Sequence, residues 1–199
     1  MKNKRILIVC CLVGLIVSAS IIITNFSSNG KEESSGDNTK SLRVVSSHAT
    51  MKIYENLPEL EKNTDIILKG KKLEEIDKII EKDDEDLVIE YYTKSKINVE
   101  KIYKNESSSK IPNEIIIVEN FAVDRDTLYT LADYEPMIEN KKYLLFLRES
   151  EPGSNLYVIK GVFFGKVPLD NEKLEFKGDK IVKEKYSKIV NEAKSKFGD

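Results

Sequence analysis

The one histidine, His48, lies beside Ser46 and Ser47, so a serine–histidine hydrolase would need this residue to take a serine proton inside a pocket. It follows a polar tract and reads as an ordinary exposed histidine. A serine–lysine pair needs no histidine, but both residue types are abundant and none is singled out. Residues 41–199 hold 31 acidic side chains, enough for many carboxylate pairs, yet sequence spacing does not bring two of them to the roughly 5–9 Å that glycoside hydrolysis uses. Asp83, Asp84, Glu85 and Asp86 offer hard oxygen ligands for calcium but lack the alternating spacing and central glycine of a calcium loop, and read as a solvated turn. Asp124, Arg125 and Asp126 read as a local ion pair. Tyr91, Tyr92 and Tyr103 suggest a stacking platform on a barrel face for single-stranded nucleic acid or a sugar, against the plainer reading of core or cross-strand packing. Lys183, Lys188 and Lys194 suggest a basic helix face for anionic lipid or wall polymer, though exposed helix faces are often lysine-rich. The three tyrosines remain as possible ligand-face residues; no catalytic residue, metal or cofactor is assigned.

The compartment is set at the N-terminus. Residues 6–23 carry no charged side chain, follow Lys2, Lys4 and Arg5, and precede a polar tract whose first basic residue is Lys31. As a helix the run is about 27 Å long, near the roughly 30 Å bilayer core, and the basic flank keeps the N-terminus inside. This predicts a retained transmembrane anchor with the domain outside the cell membrane. A signal peptide cut near Ser18, Ala19 and Ser20 is the alternative, and would release a secreted effector. Cys10 and Cys11, the only cysteines, sit within the run as small apolar filler, so the exported part has no disulfide and no thiolate chemistry. Residues 24–41 are a polar, flexible linker.

Residues 42–199 are the size of one domain. With 27 basic against 31 acidic residues over 41–199, net −4, no nucleic-acid partner is expected. Pro58 predicts a short helix ending near Asn63. A strand follows from Asp65 into Gly70, continuing through Leu73 and Ile76, with residues 77–86 either a long turn or a helical turn. Residues 87–103 read as a strand pair or one bent strand, and Ile115 to Val118 as a compact strand. Residues 120–140 read as mostly irregular, with a short strand near Leu128 to Leu131. Tyr143 to Leu147 is apolar without alternation, as in a strand covered on both faces. Residues 156–165 predict a strand coiled at its two glycines, and 179–197 an amphipathic helix with Ile181, Val182, Tyr186, Ile189, Val190, Ala193 and Phe197 on one half.

This order of elements, with a strand entering Gly70, a long strand ending near Asn105, the block from Lys141 to Leu147 and a glycine-bearing last strand, resembles exported bacterial OB-fold proteins of the netrin and tissue-inhibitor-of-metalloproteinase-like group, mostly of unknown function. The resemblance covers about residues 56–176. It implies a mainly β fold: a small OB-like barrel flanked by an N-terminal helix and a C-terminal amphipathic helix and preceded by one transmembrane helix. The inhibitor-type members use an N-terminal cysteine and disulfides, which this domain lacks, so metalloproteinase inhibition is not implied. The expected role is non-enzymatic binding or scaffolding at the cell surface, toward a surface protein or glycan. The alternative is an envelope hydrolase using carboxylates or a serine–lysine pair.

Overall fold

The computed structural model describes residues 42–48, 50–170 and 179–198. The apolar run 6–23 and the linker lie outside the described residues; within them no helix is long and apolar enough to cross a membrane. In chain order the described elements are β1 (Arg43–Ser47), α1 (Leu57–Lys62), β2 (Ile66–Lys82), β3 (Val88–Asn105), β4 (Glu114–Glu119), β5 (Phe121–Asp124), β6 (Thr127–Leu131), β7 (Lys142–Glu149), β8 (Leu156–Ile159), β9 (Lys166–Pro168) and α2 (Lys180–Phe197).

The fold is mainly β. β2 runs antiparallel to β3 and β3 to β4; β4 is parallel to β8, β8 antiparallel to β7, and β7 antiparallel to the first half of β2. Five strands thus form a circuit that returns to its start, and β9 pairs along β7. Closure of this kind leaves the paired segments without open edges. Side chains alternate across each strand. Ile66 and Leu68 of β2 stand opposite Leu147 and Leu145 of β7, and Ile97 of β3 opposite Ile115 of β4. All six are fully buried. Gly70 lets β2 and β3 approach: a Cβ there would lie 2.6 Å from Ile97 Cγ2 and 3.0 Å from the Asn98 carbonyl oxygen.

Both faces of β7 are covered, which is why Tyr143 to Leu147 are buried without alternation. The second layer comes from the helices. Asp179 caps α2 by accepting from the Ile181 and Val182 N–H groups. Tyr186 packs edge-on against Phe163 and Phe164 and donates its hydroxyl to the Lys166 carbonyl at 2.6 Å. At the other end of α2, Phe197 meets Phe146 and Tyr103. Asn56 caps α1 through the Glu59 N–H, and Glu192 of α2 accepts from the Leu57 N–H at 3.0 Å. Ile181, expected on the buried half of α2, is 63% exposed, while Val182 of the same turn packs against the core.

Three expectations change, and one alternative is decided. β2 runs unbroken to Lys82, so the turn expected over residues 77–86 is confined to 83–86: register shifts at Lys72/Glu74 and Glu75/Asp77 keep the charged stretch before it paired with β3. β3 is one strand of 18 residues, which decides between the two readings of residues 87–103 in favour of the single strand. Residues 121–131 contain two strands, which join β1 in a separate sheet ordered β1-β6-β5, with β1 parallel to β6. β8 stops at Ile159, because Gly161 (φ +63°) and Gly165 lie in a turn rather than a strand; a Cβ on Gly161 would meet the Tyr54 ring at 2.7 Å.

Candidate ligand-binding face

β3 separates two environments. On its inward side Ile97, Ser95 and Thr93 are buried, and Tyr91 continues the same side toward the small sheet. The Tyr91 ring lies 5.7 Å from that of Tyr129, and its hydroxyl donates to the Thr130 carbonyl at 2.6 Å and also meets Ser47 Oγ. Thr93 Oγ1 donates to the Phe121 carbonyl and Lys78 Nζ to the Val123 carbonyl, so the small sheet is fastened to this side. Lys82 bridges Asp124 at 3.2 Å, giving that aspartate a partner on β2 rather than the local one expected.

The opposite side of β3 is a ladder of cross-strand rungs with β2. Lys96 pairs with Glu74 at 2.6 Å and Lys94 with Asp77 at 3.1 Å; next come Tyr92 opposite Ile79 and then Glu90 opposite Glu81. The Glu74 carboxylate bonded to Lys96 holds that ammonium's pKa above the usual lysine value. Across β4 and β8 the outward side continues as Ile116 and Val118 in register with Leu156 and Val158, all half-buried, and ends at exposed Arg148 of β7. These four aliphatic side chains lie outside the buried core cluster. α1 and α2 cover the Phe146 side of the circuit. Apart from the C-terminal end of β3, where Tyr103 meets α2 and Lys104 donates to the Glu61 carbonyl of α1, no helix contact is seen on the face of β3, β4 and β8 among the described residues.

The three tyrosines do not converge. Tyr91 serves the small sheet, and Tyr103 donates its hydroxyl to the Phe197 carbonyl at 2.7 Å with its ring on α2. Tyr92 alone stands on the outward ladder, with Lys94 Nζ 5.9 Å from its ring centroid. The aliphatic strip beside it is hidden in the sequence, because Ile115 to Val118 reads as a uniform apolar run.

Inside the barrel lies a polar cluster that sequence patterning does not reveal. Lys72 and Glu119 are both fully buried and pair at 2.8 Å. Lys72 Nζ also donates to the Met137 carbonyl at 2.7 Å and to Glu75 at 3.2 Å. The Glu119 carboxylate further accepts from Ser95 Oγ (2.5 Å), the Tyr134 hydroxyl (2.8 Å) and the Met137 N–H (2.7 Å). Burial, followed by the Glu119 charge, pushes the Tyr134 hydroxyl pKa well up. Each ion is surrounded by partners, as a buried charge requires. The Ser95 hydroxyl faces a carboxylate with no exposed surface, so the cluster fastens the segment from Tyr134 to Met137 to the barrel.

The remaining candidates are scattered. His48 is exposed just past β1. In the turn after β2, Asp83 Oδ1 accepts from the Glu85 and Leu87 N–H groups, a turn-forming use of the carboxylate. Of the helix lysines, Lys188 lies 3.9 Å from Glu192. A shallow groove between α1 and α2 is lined by Pro58, Glu61, Asn191 and Ser195. Among the described residues no group of histidine, cysteine or acidic side chains is arranged to hold a metal. No family model matches the chain, and no curated protein is significantly similar to it.

Proposed function

We propose that the chain is a membrane-tethered, extracytoplasmic domain of OB type that binds a partner at the cell surface without catalysing a reaction. The circuit β2-β3-β4-β8-β7 and back to β2, with its single parallel contact between β4 and β8, supports the OB reading. The basic flank and apolar run at residues 2–23 support the tether, with the N-terminus inside.

The observation that carries the binding role is the half-buried aliphatic strip on the outer face, which no helix of the described residues is seen to cover. Helices bury one side of the barrel, while on the other Ile116, Val118, Leu156 and Val158 form an aliphatic strip bordered by Tyr92, Lys94 and Lys96. An apolar centre with a charged rim is the composition of a protein–protein contact. A surface protein is therefore the leading partner class and a glycan the second. The test is in-cell crosslinking capture with the tagged full-length chain, comparing wild type with Val118→Lys. A partner recovered by the wild type and lost in a folded Val118→Lys variant supports the reading; equal recovery places binding elsewhere.

A further inference from the structure

We infer that β1 is a docking edge for a second copy of this chain: two copies pair their β1 strands antiparallel and join two small sheets into one continuous sheet. The inference rests on the tether reading above and does not use the aliphatic strip. In the parallel ladder with β6, the Arg43 N–H donates to the Asp126 carbonyl at 2.8 Å and the Ser47 carbonyl accepts from the Ala132 N–H at 2.9 Å. Residues 43, 45 and 47 therefore turn their backbone groups to β6, and Val44 and Ser46 turn theirs to the other side. The sheet order is β1-β6-β5, so among the described residues no strand meets that side of β1. An edge of this kind is a template for another strand, and its outward N–H and carbonyl groups select an extended backbone over a helix. The far end of the same sheet differs, because β5 is held to the barrel through the Phe121 and Val123 carbonyls.

Natural edges are guarded by charge, proline or bulges. The distal half of β2 is guarded in this way by Glu74, Glu75, Asp77 and Lys78 and by its register shifts. β1 is not: it has no proline, stays in register with β6 throughout, and turns its single charge, Arg43, onto Thr127 Oγ1 at 3.2 Å. Leu42, Val44 and Val45 are exposed. Two features select a second copy as the occupant. The first is self-complementarity: two-fold antiparallel pairing through the outward groups sets either Val44 or Val45 opposite its own counterpart. Arg43 then lies opposite Val45 or Ser47, and like charges do not face each other. The second is where the tether ends. The composition of residues 24–41 predicts a coil averaging roughly 25 Å, and it reaches the domain at β1. Copies anchored in one membrane hold their β1 strands in the same shallow layer, where an edge of only five residues meets its counterpart at raised effective concentration.

The test is disulfide crosslinking of the full-length chain in intact cells, with Cys10→Ala/Cys11→Ala as the background. One cysteine is introduced at a time by Val44→Cys, Val45→Cys or, as an exposed control on α2, Ile181→Cys. After oxidation, Val44→Cys or Val45→Cys should give about tenfold more disulfide-linked dimer than Ile181→Cys. Val44→Pro added to Val45→Cys removes an outward N–H while leaving the β6 ladder its donors, and should abolish the dimer. Val44→Lys, which supplies the charge that guards natural edges, should do the same in a chain that keeps its fold. Equal yields at the three positions, a dimer that survives Val44→Lys, or an adduct with a different protein in place of the dimer overturns the assignment. Carbonate extraction reads the tether separately. Dimer from chain that washes off the membrane leaves the pairing standing and removes the tether, whereas no dimer from retained chain does the reverse.

Discussion

Replacing Lys72 by methionine keeps most of the aliphatic stem and removes the ammonium, leaving the fully buried Glu119 without its ion-pair partner. Breaking a buried pair from one side costs about 3–5 kcal/mol, because the surviving charge is neither solvated nor paired. Domains are stable by only about 5–15 kcal/mol, so this single change removes a large share. For a domain of this size, 3–5 kcal/mol corresponds to a fall in Tm of about 6–20 °C. The assay is urea denaturation followed by circular dichroism, with Glu119→Gln added as the second arm of a double-mutant cycle. Alone, Glu119→Gln should destabilise, since it weakens the acceptor of the Ser95 and Tyr134 hydroxyls. On the Lys72→Met background the same change should stabilise by about 1–3 kcal/mol, because it removes the stranded charge. A cost below 1 kcal/mol for Lys72→Met, or a Glu119→Gln effect of the same sign in both backgrounds, refutes the reasoning.

Gly70→Ala should cost about 1–3 kcal/mol by overpacking, since the added Cβ meets Ile97 and the Asn98 backbone; urea midpoints measure it. Asp179→Ala should remove about 1 kcal/mol by uncapping α2, visible as faster hydrogen exchange at Ile181 and Val182. Above pH 10 stability should fall. The hydroxyls of Tyr134 and Tyr186 are held above their ordinary value chiefly by burial. The unfolded chain therefore loses those protons first and binds fewer of them, so the unfolded state gains as pH rises. Phenolate absorbance should show part of the tyrosine titration appearing only together with unfolding; complete titration of a still-folded chain would contradict this.

The sequence makes the strands legible where their own composition dictates them. Tyr143 to Leu147 reads as a doubly covered strand, and residues 179–197 carry the period that buries Tyr186, Ile189, Val190 and Ala193. The distal half of β2 is not legible, because its residues 74–82 are largely charged or exposed and are held in strand geometry by pairing with β3. β1, which belongs with β6 in space, likewise gains its strand character from a partner some 84 residues away. The site divides in the same way. Tyr92 is legible as an aromatic on a strand, but nothing local distinguishes it from Tyr91 and Tyr103, whose hydroxyls are consumed by the small sheet and by α2. The pairing of Glu81 with Glu90 and of Lys72 with Glu119 depends on register and closure, which one-dimensional patterning does not carry.

The most direct test of the binding face is site-specific photo-crosslinking in intact cells, with a benzophenone amino acid placed singly at Tyr92, Val118 or Val158 of the full-length chain and, for comparison, at Lys183 on the exposed side of α2. The account predicts the same crosslinked partner from the three face positions and none from Lys183. Crosslinks from Lys183 alone, or from no face position while the chain is folded and displayed, would contradict it.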